Sequence, residues 1–340
     1  MRLKEFQQKL AEKKLQGALL FSKDSNFFYF TQQKMDSGML FIPARGKPTL
    51  FVNNLEHVLI SVNKIIYTNP SKDLKSFFKK EKIQKIGVNN SSLTLKQKKV
   101  FCLGKTKDIG DIIQDLRMRK TDEEVSLMGK ACSLTEETLK KIVSNFDFKT
   151  EKELRKFINV EAVKKGCDLS YEPIVAAHRN STIIHYVGNK KITKGFLLID
   201  MGFKYKGYCA DITRMLYIGN PSNKELDSYN ELLRIQRKVI DMIKPGIRIS
   251  ELENFVRKEM GEKEKYFVHS LGHSLGLVVH EKPVISRLVE DKLEEGMVIT
   301  IEPGIYRRYG MRIEDDVLVT ANGRRLLTKF PKELIIIPKF

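Results

Sequence analysis

The sequence lacks tryptophan, has only four cysteines and contains no long apolar segment. No hydrophobic run approaches the roughly 20 residues that a membrane-spanning helix requires, so we expect no membrane span. The cysteines are Cys102, Cys132, Cys167 and Cys209, without a CxxC pair, which favours free thiols over a disulfide framework. The first residues are charged and lack the apolar core of an export signal. These absences predict a cytoplasmic protein.

Acidic residues are also scarce relative to basic ones. The chain has 61 Lys and Arg against 42 Asp and Glu, a net charge of +19. Residues 1–120 hold 24 basic and 10 acidic side chains, whereas residues 121–340 hold 37 and 32. Such an excess of basic residues is typical of proteins that bind nucleic acids, but no basic motif interleaved with aromatic residues accompanies it. We therefore interpret it as surface character of the first part and predict no specific nucleic-acid partner.

The length predicts two domains, because 340 residues exceed what a single hydrophobic core usually supports. We place the junction between Arg117 and Thr121 and expect a smaller α/β domain over 1–118 and a second domain over 119–340. In the first domain the pattern predicts a helix over 1–16 and strands over 17–21, 26–30, 39–42, 49–52 and 85–88.

Four capping boxes, each a Ser or Thr followed three positions later by Glu, mark helix starts in the second domain. The pairs are Thr121/Glu124, Thr150/Glu153, Ser222/Glu225 and Ser250/Glu253. They predict helices over 121–145, 151–165, 223–243 and 251–260. Strand-like runs cover 174–177, 195–201, 208–217, 297–302 and 312–320. Helices together with strand pairs joined by short turns indicate an α+β fold with an antiparallel sheet.

Two pairs of carboxylates interrupt the apolar strands of this domain. If one hairpin turns at 205–206, Asp200 lies opposite Asp211, and in a second hairpin Glu302 lies opposite Glu314. Like charges opposite each other repel, and burial adds a desolvation cost. A divalent cation between the carboxylates removes both problems. The four side chains are therefore predicted to converge on a site for two metal ions.

Histidines accompany these carboxylates. His269, His273 and His280 fall in one short apolar segment with glycines, and His185 lies upstream. Each histidine alone is more often a hydrogen-bonded structural residue, and any single carboxylate could be a helix cap or half of a salt bridge. Their combination in one domain favours a metal site. Mixed carboxylate and imidazole ligands suit Mn²⁺, Co²⁺, Zn²⁺ or Fe²⁺ better than Ca²⁺.

Four segments of the second domain resemble the pita-bread metallopeptidases, the family of aminopeptidase P, prolidase and methionine aminopeptidase. They read DMGFKYKGYCADITR from residue 200, HSLGHSLGLVVHE from residue 269, EGMVITIEPGIY from residue 295 and RIEDD from residue 312. The order and spacing of these motifs are specific, and the resemblance extends over nearly the whole chain. It implies an α+β pita-bread domain preceded by a smaller creatinase-like α/β domain, a layout similar to prolidases and aminopeptidase P.

The resemblance also implies a role for individual residues. Two divalent ions, with Mn²⁺ or Co²⁺ expected and Zn²⁺ or Fe²⁺ as alternatives, would be bound by Asp200, Asp211, His273, Glu302 and Glu314. Glu302 would also shuttle a proton during catalysis. The residues implied to position the substrate or a ligand are His185, His269, His280 and Arg312. His178, Ser274 and Val278 depart from the family pattern, and none of them is an implied ligand.

The activity implied is hydrolysis of Xaa-Pro peptide bonds by a homodimer acting on small peptides with proline in second position. The chain length and the short hairpin before Glu314 favour a dipeptidase, similar to short prolidases. An aminopeptidase acting on longer peptides is the alternative. A creatinase-like hydrolase of another C–N bond and a non-enzymatic binding protein are weaker alternatives, because relatives of those kinds usually lack the complete set of metal ligands.

Overall fold

In the computed structural model, residues 2–101, 103 and 106–338 are described. The chain divides into two compact units, Met1–Arg117 and Met118–Phe340. Cys102, one of the four cysteines, lies outside the described residues, while Cys132, Cys167 and Cys209 are unpaired and buried. None of the helices in the described part of the chain is long and apolar enough to cross a membrane.

The first unit is built on one six-stranded mixed sheet flanked by short helices. Its strands are β1 (Gly17–Phe21), β2 (Met39–Pro43), β3 (Thr49–Val52), β4 (Asn63–Ile66), β5 (Ile86–Val88) and β6 (Thr106–Asp108). They lie in the order β4-β3-β2-β1-β5-β6. Every residue of the central strand β1 is buried, and the strand pairs on both edges, antiparallel with β2 and parallel with β5. The helices are α1 (Arg2–Glu12), α2 (Ser25–Thr31), α3 (Pro70–Lys80), α4 (Leu95–Val100) and α5 (Gly110–Met118).

The prediction of a strand over 26–30 was wrong, because this apolar run forms helix α2. The carboxylate of Asp24 accepts a hydrogen bond from the backbone N–H of Asn26 at 2.9 Å and caps the helix. Phe27 is fully buried by this turn of helix. A short apolar run satisfies both helical and strand patterns, so the local cap determines the outcome.

The second unit contains the remaining helices and four antiparallel or mixed sheets. Its helices are α6 (Asp122–Ser144), α7 (Glu151–Lys164), α8 (Asn223–Met242) and α9 (Ile249–Met260). Its first strands are β7 (Asp168–Leu169), β8 (Ile174–Ala177), β9 (Gly195–Met201), β10 (Phe203–Tyr205), β11 (Tyr208–Cys209), β12 (Ile212–Ile218) and β13 (Gly272–Ser274). The others are β14 (Glu281–Ile285), β15 (Val298–Ile301), β16 (Gly304–Tyr306), β17 (Gly310–Arg312), β18 (Asp315–Thr320), β19 (Gly323–Leu326) and β20 (Ile335–Ile337).

Two of these sheets bear the residues that matter for function. One has the order β20-β12-β9-β8 and the other the order β14-β13-β15-β18-β19. A shared apolar core holds residues from both sheets, among them Leu198 and Met215 from the first and Ile299 and Val317 from the second. This core fixes the strand ends on which the predicted ligands lie.

Three of the four predicted capping boxes are confirmed, at the starts of α6, α7 and α8. The fourth, at Ser250, was wrong, because α9 begins two residues earlier, after Arg248, without a side-chain cap. Glu253 is engaged elsewhere: its carboxylate accepts hydrogen bonds from the backbone of Leu271 and Arg287 and from the guanidinium of Arg257. A buried carboxylate with these partners is not available as a helix cap.

The predicted register of the first acidic hairpin was wrong by two residues. Asp200 pairs with Thr213 in the β9–β12 ladder rather than with Asp211. The turn lies at Lys206 and Gly207, both with positive φ, at 46° and 90°. Two consecutive residues with positive φ are the signature of the tight hairpin turn that matches strand twist. The Lys-Gly pair, and not Tyr-Lys, therefore sets the register.

The second acidic hairpin has the predicted register, but its strands are interrupted. Ile301 pairs with Asp315 on one side of the interruption, and Gly304 pairs with Arg312 on the other. Both pairs agree with Glu302 lying opposite Glu314. The expected continuous strands over 208–217 and 312–320 are each broken, at Asp211 and at Glu314. Because Asp211 and Glu314 lie outside a regular ladder, their side chains need not alternate between the two faces of a sheet. Both can therefore point towards the same site.

Candidate metal centre

Three of the five predicted ligands come together in the second unit. Asp211, His273 and Glu314 are buried, and one ligand atom of each lies within 4.8 Å of the others. Each comes from a different place in the fold: the break before β12, strand β13 and the break before β18. Their hydrogen bonds show what holds each side chain in the group.

His273 presents one ring nitrogen to the carboxylates. Its Nδ1 lies 3.2 Å from the backbone oxygen of Ser274, which assigns the proton to Nδ1. Its Nε2 lies 3.7 Å from Oδ2 of Asp211 and 3.5 Å from Oε1 of Glu302. Burial first, and then the neighbouring His280, lower the pKa of His273 to about 3. A neutral imidazole with its lone pair directed at carboxylates is the form that binds metal.

A glycine allows His273 to reach this position. A Cβ on Gly272 would lie 2.1 Å from the backbone oxygen of Thr300. Only a residue without a side chain permits this approach of β13 to β15. The backbone N–H of His273 then donates to Oγ1 of Thr300 at 3.1 Å.

The carboxylates of Asp211 and Glu314 are both buried and close to other negative charge. Thr213 donates its hydroxyl to Glu314 at 2.7 Å. Burial, followed by the charge of Asp200, raises the pKa of Glu314 to about 7. Burial, followed by the charge of Glu314, raises the pKa of Asp211 well above its usual value. Among the described residues, no Lys or Arg forms an ion pair with either carboxylate, whereas buried carboxylates normally require such a partner.

Asp200 and Glu302 lie outside the three-residue group but next to it. Arg312 is buried and donates to Oδ2 of Asp200. Its Nε lies 4.0 Å from Oε2 of Glu302, which also approaches His273. Burial, followed by the charge of Glu314, raises the pKa of Glu302. The structure thus brings four carboxylates and one imidazole into one buried region with Arg312 at its edge.

The predicted auxiliary histidines approach the same region. His269 lies with Nε2 2.9 Å from the hydroxyl of Tyr306, and that hydroxyl also accepts a hydrogen bond from Nη1 of Arg312 at 3.0 Å. The rings of His273 and His280 meet edge to face at 4.3 Å between centroids. His185 is exposed and close enough to contribute to lowering the pKa values of His269 and His280.

His178, which departs from the family pattern, belongs to a different environment. It has a positive φ of 51° at the start of a short 3₁₀ helix, His178–Thr182. A Cβ on Gly195 would lie 3.0 Å from its ring. Its Nδ1 is buried without a hydrogen-bond partner among the described residues. These contacts indicate a structural residue at the end of β8.

Two functional neighbours escaped the sequence analysis. The hydroxyl of Tyr171 contacts both Asp200 and Asp211, yet a tyrosine after a two-residue strand gives no sequence signal. Asp316, the last of three consecutive acidic residues that begin at Glu314, is fully buried. Its Oδ2 accepts the backbone N–H of Asp211 at 3.0 Å, and its Oδ1 has no hydrogen-bond partner among the described residues. The middle residue of the three, Asp315, pairs with the buried Arg214 at 2.7 Å.

This donor set fits a divalent cation. The pKa values of Asp211, Glu302 and Glu314 are all raised because ionised carboxylates crowd a region that excludes water. A divalent ion stabilises the ionised forms and relieves their mutual repulsion. Carboxylate oxygens with one neutral imidazole match the preferences of Mn²⁺, Co²⁺, Zn²⁺ and Fe²⁺. The side chains can therefore bind a divalent metal ion.

Two family models match the chain. Residues 126–321 match the model of metallopeptidase family M24. Residues 2–119 match the model of the creatinase/prolidase N-terminal domain. All the residues of the candidate metal centre lie within the first of these matches.

Known proteins are similar along nearly the whole length. A Xaa-Pro dipeptidase of Pyrococcus horikoshii is 34% identical over 330 residues, which cover 94% of this chain and 94% of the relative. The crystal structure of a prolidase from the same organism has a TM-score of 0.89 at 30% identity, covering 98% of this chain and 99% of that chain. The structure of a Xaa-Pro dipeptidase from Bacillus anthracis has a TM-score of 0.93 at 29% identity, covering 99% of both chains.

Proposed function

The chain belongs to metallopeptidase family M24, and from this membership we propose that it hydrolyses dipeptides of the form Xaa-Pro. We propose that two divalent ions, Mn²⁺ or Co²⁺, are held by Asp200, Asp211, His273, Glu302 and Glu314. The domains follow the two units: residues 1–118 form an accessory domain, and residues 119–340 form the catalytic domain. A creatinase-like activity and a purely binding role are less compatible with a complete set of carboxylate and imidazole ligands.

One observation carries this proposal. Ligand atoms of Asp211, His273 and Glu314 lie within 4.8 Å of one another in buried surroundings, in a chain that aligns over 94% of its length with a Xaa-Pro dipeptidase. Raised carboxylate pKa values show that this region needs positive charge. A divalent ion held by the proposed ligands would supply that positive charge.

When bound, the two ions would supply an activated water molecule and positive charge beside the carbonyl oxygen of the scissile bond. Glu302 would carry a proton to the leaving nitrogen, and its Oε2 faces the cationic Arg312 at 4.0 Å. His269 and His280 would donate hydrogen bonds to the substrate as negative charge develops on it. His185 is exposed and would contact the substrate at the opening of the site.

Arg312 would hold the ligand Asp200 rather than the substrate. It is fully buried and donates to Asp200, to the hydroxyl of Thr213 at 3.0 Å and to the hydroxyl of Tyr306 at 3.0 Å.

The leaving nitrogen of a Xaa-Pro bond belongs to a tertiary amide without an N–H. A pocket that accepts the proline ring is therefore needed for selectivity.

The test is hydrolysis by protein stripped with a chelator and reloaded with Mn²⁺ or Co²⁺. We expect turnover of Xaa-Pro dipeptides, and a loss of at least about 100-fold in kcat/KM in Asp211→Asn, because that substitution removes a proposed ligand charge. Asp227→Asn, an exposed residue of α8, is the matched control and keeps full activity. Turnover of Xaa-Pro tripeptides but not dipeptides would show an aminopeptidase instead. Bound metal without turnover of either substrate contradicts the peptidase proposal.

We also propose that the enzyme is a cytoplasmic homodimer. The buried, unpaired thiols of Cys132, Cys167 and Cys209 are compatible with a reducing compartment. The homodimer is proposed from the resemblance to prolidases. Light scattering on the same metal-loaded preparation gives the molar mass, and twice the 39.3 kDa of the chain is expected. The mass of a single chain would refute the dimer.

A further inference from the structure

Tyr171 connects the two aspartates of the candidate metal centre. Its hydroxyl lies within hydrogen-bond distance of Oδ1 of Asp200 and of Oδ1 of Asp211. A phenol has a single proton and can donate to only one of two carboxylates at a time. The second carboxylate oxygen then faces a lone pair, which is favourable only where positive charge is close. The contact is therefore suited to a site that contains a cation.

The contact with Tyr171 also distinguishes the two carboxylate oxygens of each aspartate, because only Oδ1 faces the tyrosine hydroxyl. Both oxygens of Asp200 face donors, Oδ1 the hydroxyl of Tyr171 and Oδ2 the guanidinium of Arg312. In Asp211, Oδ1 faces Tyr171, whereas Oδ2 points towards Nε2 of His273 at 3.7 Å. Tyr171 thus determines which oxygen of Asp211 is turned towards the group formed with His273 and Glu314.

In the described part of the chain, no other hydrogen bond fixes the side-chain oxygens of Asp211 in this orientation. The hydrogen bond from its backbone N–H to Asp316 places the main chain but not the side-chain oxygens. A carboxylate whose rotation is not restrained loses conformational entropy when it binds a metal. A hydrogen bond formed before binding reduces that loss.

We propose that Tyr171 is a positioning residue of the metal centre, which orients Asp200 and Asp211 before a divalent cation binds and thereby raises metal affinity. This inference rests on the metal site of the proposed function. Partners that orient metal ligands typically contribute 10–100-fold in affinity. The same range, about 10–100-fold, is expected here.

The test is calorimetric titration of chelator-stripped protein with Mn²⁺. Tyr171→Phe removes the hydroxyl and keeps the ring, and we expect it to weaken Mn²⁺ binding by about 10–100-fold. Tyr217→Phe is the matched control, because the hydroxyl of Tyr217 hydrogen-bonds a carboxylate, that of Glu225, outside the site. The control is expected to bind Mn²⁺ like the wild type. Thermal unfolding of the metal-free variants verifies that both are folded.

A spectroscopic measurement separates positioning from a general structural effect. The chain has no tryptophan, so its tyrosines dominate the near-ultraviolet spectrum. Addition of Mn²⁺ is expected to produce a tyrosine difference spectrum in the wild type and in Tyr217→Phe, but not in Tyr171→Phe. Wild-type affinity and an unchanged difference spectrum in Tyr171→Phe would overturn this inference alone. A wild type that takes up no Mn²⁺ would contradict the proposed function and this inference together.

Discussion

The surroundings of His269 determine whether its imidazole is charged. Its Nδ1 lies 2.8 Å from the backbone oxygen of Ser270, and its Nε2 lies 2.9 Å from the hydroxyl of Tyr306. Burial first, and then the positive charge of Arg312, lower its pKa to about 4. The imidazole is therefore neutral at neutral pH, and each of its ring nitrogens faces a hydrogen-bonding partner.

This pKa predicts a pH-dependent loss of stability. The unfolded chain has a histidine pKa of about 6.5, so below that pH the unfolded state binds a proton that folded His269 does not. The free energy of unfolding should therefore decrease between about pH 6.5 and pH 4, by at most about 3 kcal/mol from this residue. Urea unfolding of metal-free wild type and His269→Gln across this range isolates the contribution. Equal pH slopes in the two proteins would contradict the prediction.

At the scale of residues, the sequence revealed the identities of the candidate ligands but not all of their neighbours. Asp, Glu and His in apolar segments stand out because such side chains are costly to bury. Tyr171 does not, since a tyrosine is common in partly buried positions and its role arises from contacts with Asp200 and Asp211 across the fold. Asp316 does not stand out either, because it follows two other acidic residues and a run of charged residues is typical of a solvated surface.

Among the elements, the connection between β13 and β14 depends on a buried ion pair. Nζ of Lys120 donates to Oγ of Ser274 at 3.0 Å and lies 3.5 Å from Oε2 of Glu281. Oε1 of Glu281 accepts the backbone N–H of Val278 at 3.2 Å. Lys120 therefore contacts both ends of the segment that bears His280. The side chains of Lys120 and Glu281 are only 2% and 6% exposed, so water does not screen the pair.

Removal of one partner should be costly. Lys120→Met removes a buried cation 3.5 Å from the carboxylate of Glu281, which predicts a loss of about 3–5 kcal/mol in the free energy of unfolding. The double variant Lys120→Met/Glu281→Gln should lose clearly less than the sum of the single variants. Lys238→Met is the control, because its pair with Glu259 is largely exposed and should contribute less than about 1 kcal/mol. Urea unfolding measures the wild type and the four variants; additive losses would exclude the pair as the cause.

The elements themselves were largely predictable, whereas their registers were not always so. Strands over 17–21, 174–177 and 195–201 have the predicted bounds, because apolar β-branched and aromatic runs between turn residues leave little ambiguity. The pairing register of β9 and β12 depends on which two residues form the hairpin turn, 205 and 206 or 206 and 207. A shift of two residues preserves which face each side chain occupies, so the alternation pattern could not distinguish the two possibilities.

Across the whole molecule, the candidate metal centre joins residues that are far apart in sequence. Arg312 and Asp200 are separated by 112 residues, and Thr213 and Glu314 by 101. The fold class and family expected from the motifs are confirmed by matches over 126–321 and 2–119 and by the solved structures. The hairpin pattern predicted that the carboxylates converge, but it could not predict the contacts that Tyr171 and Asp316 make with them, because spacing alone does not give long-range proximity.

Binding of metal should stabilise the molecule because the site brings together mutually repelling carboxylates. With free Mn²⁺ at about 100 times its dissociation constant, linkage adds about 2.7 kcal/mol. For a unit of this size each kcal/mol corresponds to about 2–4 °C, so Tm should rise by about 5–10 °C over the chelator-treated protein. Scanning calorimetry with and without Mn²⁺ measures this shift. Asp211→Asn serves as the control and should show little increase; an equal rise in that variant would place the bound ion elsewhere.

The separation of the ligands in sequence also orders events during synthesis. A ribosome makes Asp200 and Asp211 first, then His273, and finally Glu302 and Glu314. Until Glu314 has left the ribosome, the growing chain has the two aspartates but cannot form the group of Asp211, His273 and Glu314. The complete set of proposed ligands therefore becomes available only when the segment that precedes β18 has left the ribosome.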